Sequence, residues 1–215
     1  MHDLGVVGYY IKVFTAVFVL LNPIGAVPVF LSLTPGYTAQ ECNRAAWRAA
    51  LATTLILLGA LLIGGPVLSL FGISVDSFRV AGGLLIGLMA LDMMRAQPSR
   101  TKQTPEEARE AIDKPDIAVV PLAIPILAGP GAISAMIVYG HARSDLVNYL
   151  VLAVIAVAAG FLSWLALRLA APIGSRMGRT GVNLLTRIMG LLLAAIAVEL
   201  IMTGLLSLIA SQGGH

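Results

Sequence analysis

The chain alternates long apolar runs with short polar gaps. Six runs approach or exceed the roughly 20 residues that a helix needs to cross a bilayer. They cover 9–33, 46–71, 76–95, 117–139, 147–170 and 185–209, and the second closes with Gly64-Gly65-Pro66. The runs are continuous rather than alternating, so they predict membrane helices and not barrel strands. Runs one and four are unusual. The first contains Leu21-Asn22-Pro23-Ile24-Gly25-Ala26-Val27-Pro28, and the fourth contains Pro121-Leu122-Ala123-Ile124-Pro125-Ile126-Leu127-Ala128-Gly129-Pro130-Gly131-Ala132-Ile133-Ser134. Proline inside a helix removes a hydrogen bond and costs about 3 kcal/mol. At membrane depth such a break survives only where protein or a watery cavity satisfies the freed backbone groups. Both runs are therefore expected to be broken helices that build a binding site.

The two halves echo each other. Asn22-Pro23 precedes Gly129-Pro130 by 107 residues. Phe78-Arg79-Val80-Ala81-Gly82-Gly83 precedes Thr186-Arg187-Ile188-Met189-Gly190-Leu191 by 108. Three spans per half is an odd number, so the second half must be inverted in the membrane. The fold expected is an all-α integral membrane protein. It has six transmembrane helices in two inverted three-helix repeats, with broken helices 1 and 4. The first repeat takes residues 1–95 and the second 117–215. Residues 96–116 form a charged cytoplasmic loop, in which Thr104 and Pro105 can cap a short helix. Inverted repeats with corresponding interrupted helices are a transporter signature.

Composition agrees with the hydropathy pattern. Of 215 residues, 58% are hydrophobic and 12% charged, about half the charge of a soluble domain. With the N-terminus outside, eleven of the fourteen Lys and Arg fall in cytoplasmic loops, so both termini are expected to be extracytoplasmic. The net charge of +3 is met by those loops and calls for no nucleic acid. The N-terminus has no basic n-region, so the first run reads as a span rather than a cleaved signal peptide. The single Cys42 and the scattered His2, His141 and His215 form no metal-ligand set. No P-loop, H-E-x-x-H or paired-carboxylate centre is visible, so no enzyme, metal or cofactor is expected. Coupling to protons or sodium, or passive exchange, remains.

The chemistry is expected at the breaks. Asparagine is a good N-cap and proline fits the first helical position. Asn22-Pro23 and Gly129-Pro130 then start half-helices, freeing the N–H groups of Ile24, Gly25 and Ala26 and of Gly131, Ala132 and Ile133. Such ends attract anions, and a carboxylate fits. Ser134 or Asn22 can add a side-chain bond, and the small residues around them suit a small solute. Small residues also serve helix packing, which is the better reading of Gly83 and Gly87. Glu199 lies mid-span, where an ionisable group is costly and functional by default. It reads either as a proton carrier or ammonium partner, or as a structural ion pair with a basic residue of another span. Lys12 and Arg79 are expected to snorkel at the outer interface, and Asp92 to pair near Arg95. Thr15, Thr53, Thr54 and Ser163 are expected to bond their own helices.

The two Pro/Gly motifs resemble those of the MarC family of six-span membrane proteins, which includes the SnatA-type small neutral amino-acid transporters. The likeness extends over essentially the whole chain. It implies an inner-membrane exporter or exchanger of amino acids such as glycine or alanine. It further implies that Asn22, Pro23, Ile24, Gly25, Ala26, Gly129, Pro130, Gly131, Ala132 and Ser134 line the substrate site. The alternatives are a multidrug efflux transporter, for which 6% aromatic residues is a low share, and a non-transporting scaffold.

Overall fold

The computed structural model describes residues 5–96, 122–123, 126–143 and 145–212. The charged loop beyond Ala96, its Thr104–Pro105 helix start, and Pro121, Ile124 and Pro125 lie outside the described residues. Regular structure among the described residues is helical. It comprises α1 (Val6–Leu21), α2 (Val27–Leu33), α3 (Ala39–Leu70), α4 (Val75–Met94), α5 (Pro130–His141), α6 (Leu146–Arg168) and α7 (Ala170–Gln212).

The starts follow local chemistry. α3 begins at a reciprocal capping box. The Thr38 hydroxyl accepts from Glu41 N–H at 3.3 Å, and Glu41 Oε2 accepts from Thr38 N–H at 2.7 Å. That box starts the helix ahead of the expected apolar run. α3 then continues through Gly64-Gly65-Pro66 to Leu70, past the expected closing signal. At 1.5 Å per residue it is about 48 Å long. α7 starts well ahead of the apolar run expected at 185–209, and Gly178, before that run, interrupts the helix at φ 59°, ψ −177°. That left-handed φ suits a residue without Cβ.

α3, α4, α6 and the Thr180–Ser211 part of α7 are long and apolar enough to cross a membrane, and α1 is a shorter apolar helix. Their outward faces are greasy. Leu51, Leu55 and Leu62 of α3 and Leu150, Val154 and Val157 of α6 are all exposed. Their spacing of three, four or seven draws an apolar stripe along each helix. Stripes of this extent mark a lipid-facing surface rather than a water-facing one.

Inside, α1 and α5 sit in the principal core with Leu57, Ile86, Met89, Leu152 and Leu193 packed around them. α4 packs most extensively along α7, and α3 along α6. The α4–α7 approach is close. A Cβ on Gly190 would lie 2.9 Å from Met94 N and 3.0 Å from Ala90 O. Gly83 faces Ala197 O and Ile201 across the same seam, in keeping with its packing role. The intramembrane hydroxyls bond their own helices as expected. Thr15, Thr53, Thr54 and Ser163 each donate to the carbonyl four residues back, at 2.8–2.9 Å.

Candidate functional site

The first break is real but differently built from the half-helix start that was expected. Asn22 ends α1 in the left-handed conformation, φ 49° and ψ 55°, and its own N–H donates to Phe18 O. Residues 23–26 form a turn, and the next helix starts at Val27. Asn22 still works as a cap from this position. Its Oδ1 accepts from Gly25 N–H at 3.2 Å, and its carbonyl accepts from Ala26 N–H at 3.1 Å. Gly25 and Ala26 therefore have internal partners and are not free for a ligand. The chain turns tightly around Asn22, so its own oxygens reach these donors first.

The second break places Gly129 as the N-cap of α5, with Pro130 at the first helical position. This matches the expected helix start. The Gly129 carbonyl accepts from both Ala132 N–H at 3.0 Å and Ile133 N–H at 3.2 Å, so these two groups are also satisfied within the chain. Before the cap the backbone runs in a wide turn, in which Ala128 N–H donates to Ala123 O at 2.9 Å.

The two breaks touch. A Cβ on Gly131 would lie 3.2 Å from Leu20 Cδ2 of α1, 3.2 Å from Ile86 and 2.8 Å from Met89 Sδ. Ala26 and Val27 share a second buried cluster with Leu122 and Leu127. Pro23, Ala26, Gly129, Gly131, Ala132 and Ser134 are buried, whereas Asn22, Ile24, Gly25 and Pro130 are half-buried. Ser134 packs against Gly82 of α4. The carbonyl end of α1 therefore meets the N–H end of α5 in the core, and apolar side chains close over the junction.

A cleft of about 150 Å³ opens at the opposite ends of α1 and α5. Tyr9, Lys12, Arg79, Tyr139, Glu199 and Thr203 supply its polar lining. It lies about 12–15 Å along α1 and α5 from the breaks, by the helical rise. Lys12 donates to Glu199 Oε1 across 187 positions of sequence. Glu199 is thus paired with a basic residue of another helix, and Lys12 is not a lone snorkelling charge. Arg79 pairs with Asp76 one turn earlier, at 3.0 Å, and Arg143 lies 5.4 Å over the Tyr9 ring. Tyr9 Oη is buried with no hydrogen-bond partner among the described residues.

One structural residue escaped the reading of the sequence. Asn148 is fully buried at the start of α6. Its Nδ2 donates to the carbonyls of Tyr139, Gly140 and Arg143 at 3.1, 3.3 and 2.9 Å, and its Oδ1 accepts from Tyr10 at 3.2 Å. It thus ties together the carbonyls where α5 ends, of which Tyr139 O also accepts from Ala142 N–H at 3.3 Å. The available signal was a lone amide within Leu146-Val147-Asn148-Tyr149, because a polar group at such a site seeks interhelical partners. His141 ends α5 and packs its ring over Gly65 of α3.

These features define a class, the polytopic helical membrane proteins, here with interrupted helices in the core. A family model described as MarC family integral membrane protein matches residues 7–209. The UPF0056 membrane protein YhcE of Escherichia coli is 43% identical over 197 residues, which cover 91% of each chain. The UPF0056 membrane protein MJ1677 of Methanocaldococcus jannaschii is 42% identical over 92% of this chain and 96% of its own. The UPF0056 membrane protein YvbG of Bacillus subtilis is 38% identical over 92% of this chain and 94% of its own. No solved structure matches the chain. The protein belongs to the MarC family of integral membrane proteins.

Proposed function

We propose that this protein is a SnatA-type secondary transporter. It moves small neutral amino acids such as glycine or alanine across the cytoplasmic (inner) membrane, as an exporter or exchanger. The observation that carries this reading is the junction of the two breaks. The N–H end of α5 at Gly129-Pro130-Gly131 abuts the carbonyl end of α1 at Leu20 to Asn22. A helix N-terminus favours a carboxylate and a helix C-terminus favours an ammonium. A zwitterion with both charges on one carbon suits that pairing. Small walls at Gly129, Gly131 and Ala132 leave room only for a small side chain once Leu20, Ile86 and Met89 draw back. The carboxylate part of the site rests on α5, because α2 has seven residues and its dipole is correspondingly weak.

Helix pairing supports an inverted six-span architecture with residues 1–95 and 117–215 as its halves. α1 contacts α5, α3 contacts α6 and α4 contacts α7. These are the pairs that an exchange of the two halves would bring together. Rocking of one half against the other would open the junction to each side in turn. Both termini lie outside in this arrangement. Proton or sodium gradients are the available driving forces, and Glu199 is the ionisable group placed to carry a proton.

The test is flux of labelled glycine and alanine in proteoliposomes, with and without each gradient. Substrate-dependent flux, abolished in a folded Gly131→Val variant, is the expected result. No flux under any gradient overturns the reading.

A further inference from the structure

The cleft at the outer ends of α1 and α5 has chemistry of its own. We propose that the cleft lined by Tyr9, Lys12, Arg79, Glu199 and Thr203 is a second binding site, for a small zwitterionic α-amino acid, separate from the helix breaks. Its charges alone select the ligand, so the inference does not depend on transport.

Lys12 and Glu199 pair in the lining of the cleft, and about half of each side chain is exposed, 46% and 53%. A ligand that enters between them must answer both charges. A simple carboxylate would satisfy Lys12 and strand Glu199, and a simple amine would do the reverse. Leaving one partner of an ion pair unmatched costs free energy, less at half-exposed side chains than in a dry core. A zwitterion replaces each partner with its like, so neither is stranded. Because the two side chains touch, the ligand's charges must lie close together, as they do when carried on a single carbon.

Three further features fix the orientation. Tyr9 Oη is buried without a partner among the described residues and offers a donor for the second carboxylate oxygen. Arg79, already held by Asp76, adds positive field to the lining. Thr203 spends its proton on the Glu199 carbonyl at 2.7 Å, which leaves its oxygen free to accept from an ammonium. Val13, Val138, Ile196 and Leu200 complete the wall and suit a short apolar side chain. The 150 Å³ of space exceeds the ~10–15 Å³ that one water needs by about tenfold, enough for a small amino acid.

The test uses the full chain in lipid nanodiscs. In a Cys42→Ser background, Ala142→Cys places a reporter thiol on the cleft lining, and its alkylation rate is followed with added glycine, alanine, acetate or methylamine. Glycine and alanine are expected to slow alkylation, while acetate and methylamine at equal concentration do so at least about tenfold less effectively. Glu199→Gln is expected to weaken the glycine effect about tenfold or more, and Tyr9→Phe about three- to tenfold, the worth of one hydrogen bond. Tyr9→Phe removes only an unpartnered hydroxyl, so it folds even if Glu199→Gln does not. No protection by glycine, equal protection by acetate, or unchanged glycine affinity in Tyr9→Phe overturns the site. Flux without protection defeats the cleft and leaves the transport reading standing, and protection without flux does the opposite.

Discussion

Replacing Asn148 with alanine tests how one wall of the cleft is held. Asn148 is 0% exposed and joins the end of α5 to α6 and to Tyr10 of α1. Its amide has two N–H groups shared among three carbonyls, so about two full bonds are lost on that side and one from Tyr10. Each is worth about 0.5–1.5 kcal/mol net, and buried carbonyls left unsatisfied raise the cost. The expected destabilisation is about 2–4 kcal/mol. For a chain of this length that lowers the melting temperature by roughly 5–15 °C. Cys42 is the only cysteine and is half-buried, so a thiol-reactive dye reports unfolding from one site. Asn148→Asp keeps the acceptor for Tyr10 but loses the donors and sets a charge against carbonyls. It is expected to be worse than alanine. Tyr10→Phe removes one bond and should cost about 1 kcal/mol. Asn148→Ala and Asn148→Asp both melting within about 0.5 kcal/mol of the parent would refute the assignment.

Gly190→Leu forces a side chain into the backbone of α4 and should cost about 3 kcal/mol or more, whereas Gly59→Ala adds a Cβ that meets nothing within 4 Å and should be neutral to slightly stabilising in the same melt. Thr38→Ala opens the α3 capping box and should cost about 1 kcal/mol, read by the same dye. In a Trp164→Phe variant, Trp47 is the remaining tryptophan and is 52% exposed on the apolar surface. Its fluorescence should be quenched by brominated lipids, and unquenched emission would mean that protein covers that face.

Hydropathy along the chain was enough to place α3, α4, α6 and most of α7, because continuous apolar runs are a local property that any bilayer reads the same way. The positions of both breaks were legible too, since proline cannot donate to a helix wherever it lies. The self-bonded hydroxyls of Thr15, Thr53, Thr54 and Ser163 followed from helix geometry alone. The role of Asn22 was not legible. An asparagine before a proline suits a helix start, yet the backbone there turns left-handed and the residue closes α1. The extra interruption at Gly178 was not legible either, because a glycine within Ser175-Arg176-Met177-Gly178-Arg179-Thr180 leaves φ undecided.

The sequence by itself thus determined that the chain spans a membrane in several helices and where two of those helices break. Only the tertiary structure decided which groups meet. It set Lys12 against Glu199 across 187 residues, hung the end of α5 on Asn148, and brought Leu20 against Gly131. Local propensity acts over a few residues along the chain. Ion pairs and buried amides are chosen by which helix faces come together, and that depends on the packing of the whole bundle.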